Sequence, residues 1–484
     1  MSRVTHTFRT VARAAPAAVA AAVTLSLATL SGCGSADSAT PQPQQTLIVR
    51  GGWLFDGTGN DVVRNTGIVI GDSVLLEVGA DLEGRDLGEA RVIELTDEQY
   101  IIPGLFDLHA HYALDLFGEG RVDDDVAYPA MFLANGVTST FPAGEVNPEK
   151  MHALRIRIER GEQPGPRLFN SGPYYGTARE GWDPEMTAEQ IREEVDYWVS
   201  QGVRNFKAKG PTPEHLGALI EAAHAHGATV TGHLGSGSRN SVNPRDAILM
   251  GIDRIEHFAG GDAMTPDRPA YSSLVEMTPD MPEYREIVEL YKEHGVFYDA
   301  TLSAYGYYGR RDPEVYTYFV PEMDFLTPYA RAAVESRLPR RVSEEFERIY
   351  WVKRDLIKAF YDLGGGHLIT LGTDHPSWGE YFSPFSIHRE LHTMVLAGIP
   401  PAAALRTATG NAARALNVDD RLGSIEPGKL ADLVILTGNP LEDIRSTRNA
   451  DVVIRAGQVY DPAALLASVK GRLGPAGPDD RDDW

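Results

Sequence analysis

The stretch LFDLHAH, residues 105–111, decides the fold. Its apolar residues form a short run, and His109 and His111 stand at its end. In a β-strand, the side chains of residues i and i+2 project to the same side. The stretch therefore predicts a short strand that presents two imidazoles together at its carboxyl end.

His224 and His226 have the same spacing in a different setting. They close a helical stretch just before Gly227, and on a helix residues i and i+2 diverge by about 200°. The two imidazoles cannot share an ion there, and positive charge is favourable at a helix C-terminus. We therefore interpret this pair as structural.

Seven further strand-like runs follow, separated by helical stretches. They are 137–141, 167–171, 203–209, 228–233, 253–257, 296–302 and 368–374. Helix start signals lie between them at Asn147-Pro148-Glu149, at Thr187 with Gln190, and at Thr212-Pro213-Glu214. Eight strand–helix units predict an α/β fold of the TIM-type (β/α)8 barrel class, which typically needs about 250 residues. A doubly wound sheet is the alternative.

Short β-type runs rich in glycine occupy both flanks of this region. LIVRGGWLFDG and GIVIGDSVLLEVG precede it, and LADLVILTG and VVIRAGQVYD follow it. We expect a small β-sandwich domain built from both chain ends, with the barrel inserted. The predicted boundaries are 46–102 and 416–465 for the β-sandwich, 103–415 for the barrel and 466–484 for a tail.

Chemically active side chains stand where the predicted strands end, and a barrel places its active site at those ends. They are His109 and His111 on the first strand, Lys207 and Lys209 on the fourth, His233 on the fifth, His257 on the sixth and Asp374 on the eighth. Imidazole nitrogens and a carboxylate are preferred ligands of divalent transition metals. Their convergence predicts a metal site.

The fourth strand, GVRNFKAKG at residues 202–210, is unusual for a buried strand. Its alternation places Lys207 and Lys209 on one face, and lysine is rarely buried unless it is paired. Either this face meets water or a lysine has a chemical role.

Several motifs together resemble the amidohydrolase superfamily, and within it the imidazolonepropionase-like and Xaa-Pro dipeptidase-like branch. They are IIPGLFDLHAHY, GVRNFKAKG, TVTGH, DRIEHF, LITLGTD and TATGNAARALNVDDRLGSIEPGKLADLVIL. The resemblance extends from about residue 46 to residue 465, nearly the whole predicted mature chain.

The resemblance implies two divalent metal ions, with zinc expected. It implies that His109, His111 and Asp374 bind the first ion and that His233 and His257 bind the second. It also implies that CO2 carboxylates Lys207 to a carbamate that bridges both ions. Two alternatives stay open for Lys209. It contacts the substrate or a neighbouring side chain, or its side chain simply extends to water.

The resemblance implies hydrolysis of a carbon–nitrogen amide bond in a small molecule: a dipeptide, an N-acyl amino acid or a cyclic amide. A metal-bridging hydroxide would attack, and Asp374 would serve as general base and then as acid. Hydrolysis of a lactone, ester or phosphotriester on the same dinuclear site is the alternative. More remote are a purine-type deaminase and a ligand-binding lipoprotein on a hydrolase scaffold.

Substrate contacts are expected in the loops after the strands. The candidates are Tyr112, Tyr175, Arg179 and Tyr305, with Tyr174 nearby, and Arg179 could hold a substrate carboxylate. The formal net charge of −23 argues against a nucleic-acid partner. The oligomeric state is left open.

The first 33 residues resemble a bacterial lipoprotein signal. Three arginines precede an apolar run that ends in LSGC, and Cys33 is the single cysteine of the chain. We expect a signal peptide over 1–32, lipidation at Cys33 and a flexible tether over 33–45. This predicts an exported protein whose lipid anchor holds it to a membrane, in the periplasm or at the outer cell surface.

Replacing this cysteine tests the lipid anchor. We expect Cys33→Ser to abolish lipid labelling and to release soluble protein, because the acylated thiol is lost. Labelling with a fatty-acid analogue and fractionation of cells measure both effects. Unchanged membrane association would contradict the lipobox interpretation.

Overall fold

The structure of the chain is a computed structural model. It describes residues 46–79, 81–82, 84–307, 312–316, 322–338, 342–375 and 380–481. The predicted signal peptide and tether, including Cys33, lie outside the described residues.

The described elements follow in chain order. The strands are β1 (Leu47–Leu54), β2 (Val63–Gly71), β3 (Val74–Val78), β4 (Arg91–Pro103), β5 (Leu105–Ala110), β6 (Ala113–Leu114), β7 (Val122–Asp123), β8 (Val137–Pro142), β9 (Arg167–Leu168), β10 (Tyr174–Tyr175), β11 (Asn205–Lys209), β12 (Thr229–His233), β13 (Arg254–Glu256), β14 (Phe297–Asp299), β15 (Ile369–Thr370), β16 (Leu433–Thr437), β17 (Ala450–Arg455) and β18 (Gln458–Tyr460). The helices are α1 (Tyr128–Ala134), α2 (Pro148–Glu159), α3 (Ala188–Ser200), α4 (Pro213–Ala225), α5 (Pro244–Met250), α6 (Ala270–Leu274), α7 (Pro282–His294), α8 (Leu302–Gly306), α9 (Pro313–Tyr316), α10 (Pro328–Glu335), α11 (Glu344–Asp362), α12 (Ser383–Leu396), α13 (Pro401–Thr407), α14 (Gly410–Ala415) and α15 (Pro462–Val469).

The predicted helix start signals are confirmed. The Asn147 side chain caps α2 by accepting from the Lys150 amide, and Thr187 and Gln190 form a reciprocal capping box at α3. The Thr212 side chain caps α4 by accepting from the His215 amide. These side chains satisfy backbone N–H groups that have no partner within the helix, and they fix where the helices begin after the preceding strands.

Strands from both chain ends form one seven-stranded sheet, in the order β18-β17-β16-β4-β1-β2-β3. In this sheet β4 lies between β1, to which it is parallel, and β16, to which it is antiparallel. Apolar side chains such as Val49, Ile101 and Ile435 pack as its core. The prediction that both ends join is thus confirmed, but the described residues form a single sheet here and not the predicted sandwich of two sheets.

Each of the eight strand-like runs contains a strand: β5, β8, β9, β11, β12, β13, β14 and β15. These strands pair in parallel, which confirms a mixed α/β fold. They are divided between a six-stranded sheet, β10 to β15 in chain order, and a three-stranded sheet, β5-β8-β9. The pairing of the described strands therefore does not form the one continuous barrel sheet that the sequence predicts.

Backbone hydrogen bonds nevertheless link the two parallel sheets. The Leu108 amide donates to the Leu371 carbonyl at 2.9 Å, and the Asp374 amide donates to the His109 carbonyl at 3.0 Å. These bonds join β5 to the segment that follows β15. They bring the ends of the first and last predicted strands together.

The predicted tail packs on the rest of the chain as far as residue 481. Leu473 pairs with Leu326 in an isolated parallel bridge, and Arg481 forms an ion pair with Glu119 and lies 4.4 Å from the ring centroid of Phe117. Among the described residues, no helix is both long and apolar enough to cross a bilayer.

Candidate metal centre

Three side chains from three strand ends meet at one point. His109 is the penultimate residue of β5, His257 follows β13 and Asp374 follows β15, and each offers a ligand atom within 4.8 Å of the others. His109 Nε2 lies 3.2 Å from Asp374 Oδ1, and His257 Nε2 lies 3.7 Å from Asp374 Oδ2. The arrangement has the ligand types and the proximity of a site for a divalent cation.

The other two predicted histidines lie beside this cluster. His111 Nε2 is 2.8 Å from Asp374 Oδ1, so the imidazoles of His109 and His111 contact the same carboxylate oxygen. The His233 ring lies with its centroid 4.3 Å from that of His257. The structure therefore brings together all five of the predicted histidine and aspartate side chains.

The electrostatics of these histidines suit metal binding. Burial lowers the pKa of His111 to about 3 and lowers the pKa values of His233 and His257 well below their usual range. These imidazoles are therefore neutral at pH 7, which is the form that binds a metal. His257 Nε2 and His109 Nδ1 are buried and have no hydrogen-bond partner among the described residues.

Asp374 is held as a carboxylate. Burial raises its pKa, but the neighbouring imidazoles of His109 and His257 and the hydrogen bonds from His109 and His111 outweigh this, so its pKa lies well below the usual range. Its side chain is 24% exposed, whereas that of His257 is 0% exposed. Asp374 is thus an ionised group at the open side of the cluster.

Lys207 is the buried lysine of the strand-four pair. It is 1% exposed and its Nζ contacts a carboxylate oxygen of Glu256, which is itself 0% exposed. Burial and the like charge of Lys209 lower the pKa of Lys207 well below its usual range. The structure therefore separates the two lysines, with Lys207 inside the site and Lys209 only half-buried at its edge.

The sequence analysis did not identify two carboxylates that lie at the site. Glu256 Oε2 and Asp299 Oδ2 lie 3.5 and 3.6 Å from His109 Nδ1. Both residues end strands, β13 and β14, so the rule that located the histidines would also have located them. Asp299 is 0% exposed and neither of its carboxylate oxygens has a hydrogen-bond partner among the described residues. Such groups are costly to bury unless a cation or donor is supplied.

Neighbouring groups fix the orientation of the ligands. Asp107 accepts hydrogen bonds from the amides of His109 and Thr373, which ties the end of β5 to the segment after β15. His257 Nδ1 lies 2.7 Å from Thr301 Oγ1, which leaves Nε2 directed at the cluster. His257 and Asp374 both have positive φ angles, 66° and 40°. Such conformations cost energy in non-glycine residues and are concentrated at functional sites.

A second buried lysine, Lys353 of α11, contacts the backbone of the site at His257. Its Nζ donates to the His257 carbonyl at 2.6 Å and lies 4.2 Å from the ring centroid of Tyr305. Burial lowers the pKa of Lys353 to about 7. No strand-end rule could have found Lys353, because it comes from a helix far along the chain.

The four predicted substrate contacts fall in different places. Tyr305 lies near the centre, with its ring centroid 6.2 Å from that of His257. Tyr112 is buried and its hydroxyl pairs with Thr140, and Tyr175 packs against Phe206 on the opposite face of the sheet from Lys207.

Arg179, the fourth of these residues, lies on a cavity beside the centre. Its guanidinium pairs with Glu194 at 2.8 Å. The cavity has a volume of about 640 Å³ and is also lined by Arg121, Glu145 and Tyr174. Tyr174 pairs in register with Lys207, so it joins the cavity to the face of β11 that bears the two lysines.

The Amidohydrolase family matches residues 100–460 of this chain. Because the match covers most of the chain, the protein belongs to the amidohydrolase family, and the expected superfamily is confirmed. The prediction of a hydrolase of carbon–nitrogen bonds is confirmed at this level. Members of the family generally use divalent metals, and the cluster of His109, His257 and Asp374 is in keeping with this.

Relatives differ in how much of the chain they match. Ochratoxinase of Aspergillus niger is 22% identical over 503 aligned residues, which cover 92% of this chain and 91% of that protein. Adenine deaminase 4 of Rhizobium meliloti (strain 1021) is 32% identical over 112 residues, and this chain spans only 18% of its length. The crystal structure of a Xaa-Pro dipeptidase with bound methionine superposes with a TM-score of 0.63 at 23% identity, covering 86% of this chain and 100% of that chain.

Removing one predicted ligand tests the metal site. We expect His109→Ala to lower the affinity for a divalent metal by more than about tenfold, since even groups that only orient ligands are worth that much. The amount of metal bound per chain, measured by elemental analysis at increasing chelator concentration, reports this loss.

His226→Ala is the matched control for this measurement. His226 lies at the end of α4, and its side chain is 36% exposed and pairs with Asp196 of α3. Its loss should therefore leave the bound metal unchanged. Wild-type metal content in His109→Ala would contradict the assignment.

Proposed function

We propose that the protein is a metal-dependent amidohydrolase that cleaves the amide bond of a dipeptide, an N-acyl amino acid or a cyclic amide. The single observation that carries this proposal is the buried cluster of His109, His257 and Asp374, which supplies metal ligands in a chain of the amidohydrolase family. The similarity to known hydrolases supports it, since a Xaa-Pro dipeptidase has the same fold and ochratoxinase matches along nearly the whole chain.

We further propose that two divalent ions, expected to be zinc, bind at this centre. The ligand atoms support this because they form two adjacent sets: His109 and His111 with Asp374, and His233 with His257. The unpartnered carboxylate of Asp299 adds negative charge beside them. One buried cation would leave much of this set without a partner.

Lys207 is proposed to carry the bridging carbamate. A neutral amine reacts with CO2 whereas an ammonium does not, and burial favours the neutral form of Lys207 at neutral pH. The reaction forms a bond from Nζ to the carbon of CO2 and releases one proton. Carboxylation would convert a buried amine into an anion with two oxygens next to His233 and His257, where a cation would bind.

Bound divalent metal would polarise the scissile carbonyl and lower the pKa of a water molecule, so that a nucleophile is available at neutral pH. Asp374 is ionised and partly exposed, so it can accept the proton of that water as general base. The same carboxyl group can then donate this proton to the departing nitrogen as general acid.

A closed barrel is the architecture that we propose for the parallel strands. The hydrogen bonds from Leu108 to Leu371 and from Asp374 to His109 support closure at one seam. An isolated parallel bridge between Glu145 and Pro173 supports closure at the other.

The proposed export and lipid anchoring at Cys33 are supported by the amino-terminal sequence.

A substrate panel tests the activity. Zinc-loaded wild-type protein should hydrolyse members of a panel of dipeptides, N-acyl amino acids and cyclic amides faster than lactones, esters or phosphotriesters. Asp374→Asn should lower kcat by about 10²–10⁴-fold because general acid–base catalysis is lost. Asp280→Asn, at a side chain that is 96% exposed, is the control. Turnover of lactones or phosphotriesters alone would refute the proposed amide specificity.

Replacing the strand-four lysine tests the carbamate. Lys207→Ala should lose bound metal and activity, and short-chain carboxylic acids should restore part of both because they replace the missing carboxylate. Lys209→Ala should keep its metal, since Lys209 lies at the edge of the site. Metal analysis with and without added propionate measures this, and loss of metal in Lys209→Ala alone would show that the two lysines have been assigned the wrong way round.

A further inference from the structure

We propose that Lys209, Tyr174 and Arg121 form a subsite beside the metal centre that binds the carboxylate of the substrate. The substrate class is then an anionic amide, namely a dipeptide or an N-acyl amino acid. Its free carboxylate belongs to the amino acid whose nitrogen forms the scissile amide bond. This inference rests on the proposed function, because it names the substrate class of the same site.

Lys209 lies between the metal centre and solvent. In the parallel pairing of β11 with β12, Lys209 is opposite His233, and Lys207 is opposite Thr231. Lys209 is therefore two residues, or about 7 Å, further along the same strand face than Lys207. Lys207 is buried, whereas Lys209 and His233 are partly exposed. A substrate that enters from solvent meets Lys209 before it reaches the centre.

The Lys209 ammonium has no anionic partner within the protein. Among the described residues, no carboxylate lies within ion-pair distance of its Nζ, and the Nζ lies 5.8 Å from the centroid of the Tyr174 ring. Its positive charge contributes to the lowered pKa values of Lys207 and His233. A half-buried positive charge without an anionic partner is costly unless a ligand supplies the opposite charge.

Tyr174 supplies an unused donor next to Lys209. Tyr174 is 4% exposed, and its hydroxyl has no hydrogen-bond partner that meets normal geometry among the described residues. It lies on the same side of the sheet as Lys207, with which it pairs. A buried hydroxyl in this position can donate to an anion that enters between Tyr174 and Lys209.

Arg121 supplies the second positive charge. It is exposed in the segment that leads into β7. Burial raises the pKa of Tyr174 to about 12 and the charge of Arg121 opposes this rise, whereas burial lowers the pKa values of Lys209 and His111 and the charge of Arg121 adds to this lowering. Like Lys209, Arg121 forms none of the ion pairs found among the described residues. Arg179 is different, because Glu194 already neutralises it at 2.8 Å. The carboxylate contact that the sequence assigned to Arg179 is thus better supplied by Arg121.

Five glutamates line the cavity, and Glu145 is the buried one among them. Glu119 and Glu194 are paired with Arg481 and Arg179, and Glu149 and Glu180 are exposed to solvent. Burial raises the pKa of Glu145 well above the usual range, and Asn170 donates to one of its oxygens. Burial therefore favours the neutral form of Glu145, which does not repel an anion.

The chain has a net charge of −23, but Lys209 and Arg121 make the surroundings of the Tyr174 hydroxyl locally positive. Two positive charges beside a hydroxyl donor suit the binding of a carboxylate.

Binding of a pair of inert probes tests this subsite separately from catalysis. The probes are 2-benzyl-4-oxopentanoate, in which a methylene replaces the amide nitrogen of N-acetylphenylalanine, and its carboxamide. Calorimetry with the zinc-loaded full chain should show at least tenfold tighter binding of the carboxylate. Lys209→Met and Arg121→Gln should each lower carboxylate affinity about ten- to hundredfold and leave carboxamide affinity unchanged.

Two charge-matched variants serve as controls. Lys470→Met and Arg160→Gln remove exposed charges elsewhere and should leave both affinities unchanged, and metal content should be the same in all variants. The absence of a carboxylate preference in the wild type, or equal losses for both probes in Lys209→Met, would overturn the subsite.

The two proposals fail in different ways. A wild-type protein that prefers the carboxylate probe but hydrolyses no amide of the panel would retain the subsite and refute the proposed function. A protein that hydrolyses amides with no carboxylate preference would retain the function and refute the subsite.

Discussion

The contact of Asp374 with the end of β5 is the constraint on which the site depends. The Asp374 amide donates to the His109 carbonyl, and the Asp374 carboxylate contacts the imidazoles of His109 and His111. The first and last of the predicted barrel strands are more than 250 residues apart in the chain, and this contact brings their ends together. The carboxylate is also kept ionised by its histidine neighbours, so one contact both joins the two sheets and prepares a metal ligand and proton acceptor.

Much of this could be predicted from the sequence, because the informative residues stand at strand ends. The H-x-H spacing of His109 and His111, together with His233, His257 and Asp374, marked the site, and the caps at Asn147, Thr187 and Thr212 marked the helix starts. Strand pairing could not be predicted in the same way. A period of two shows that a run is a strand, but it does not show whether neighbouring strands form one sheet or two.

Physical reasons explain which residues the sequence analysis missed and where the structure places two of the predicted substrate contacts. Asp299 and Glu256 were overlooked although both end strands, whereas Lys353 reaches the site from a helix that no strand pattern marks. Tyr175 lies on the outer face because side chains alternate along β10, so its neighbour Tyr174 faces the lysines instead. Arg179 is paired with Glu194, a contact between a loop and a helix that only the folded chain reveals.

Anomalous diffraction at the zinc edge, from crystals of the zinc-loaded protein, tests the central claim most directly. The account predicts two anomalous peaks per chain, one bounded by His109, His111 and Asp374 and the other by His233 and His257. It also predicts electron density for a carboxylated Lys207 between the two peaks. Peaks confined to exposed acidic residues, or a single peak with an unmodified Lys207 still in contact with Glu256, would contradict the account.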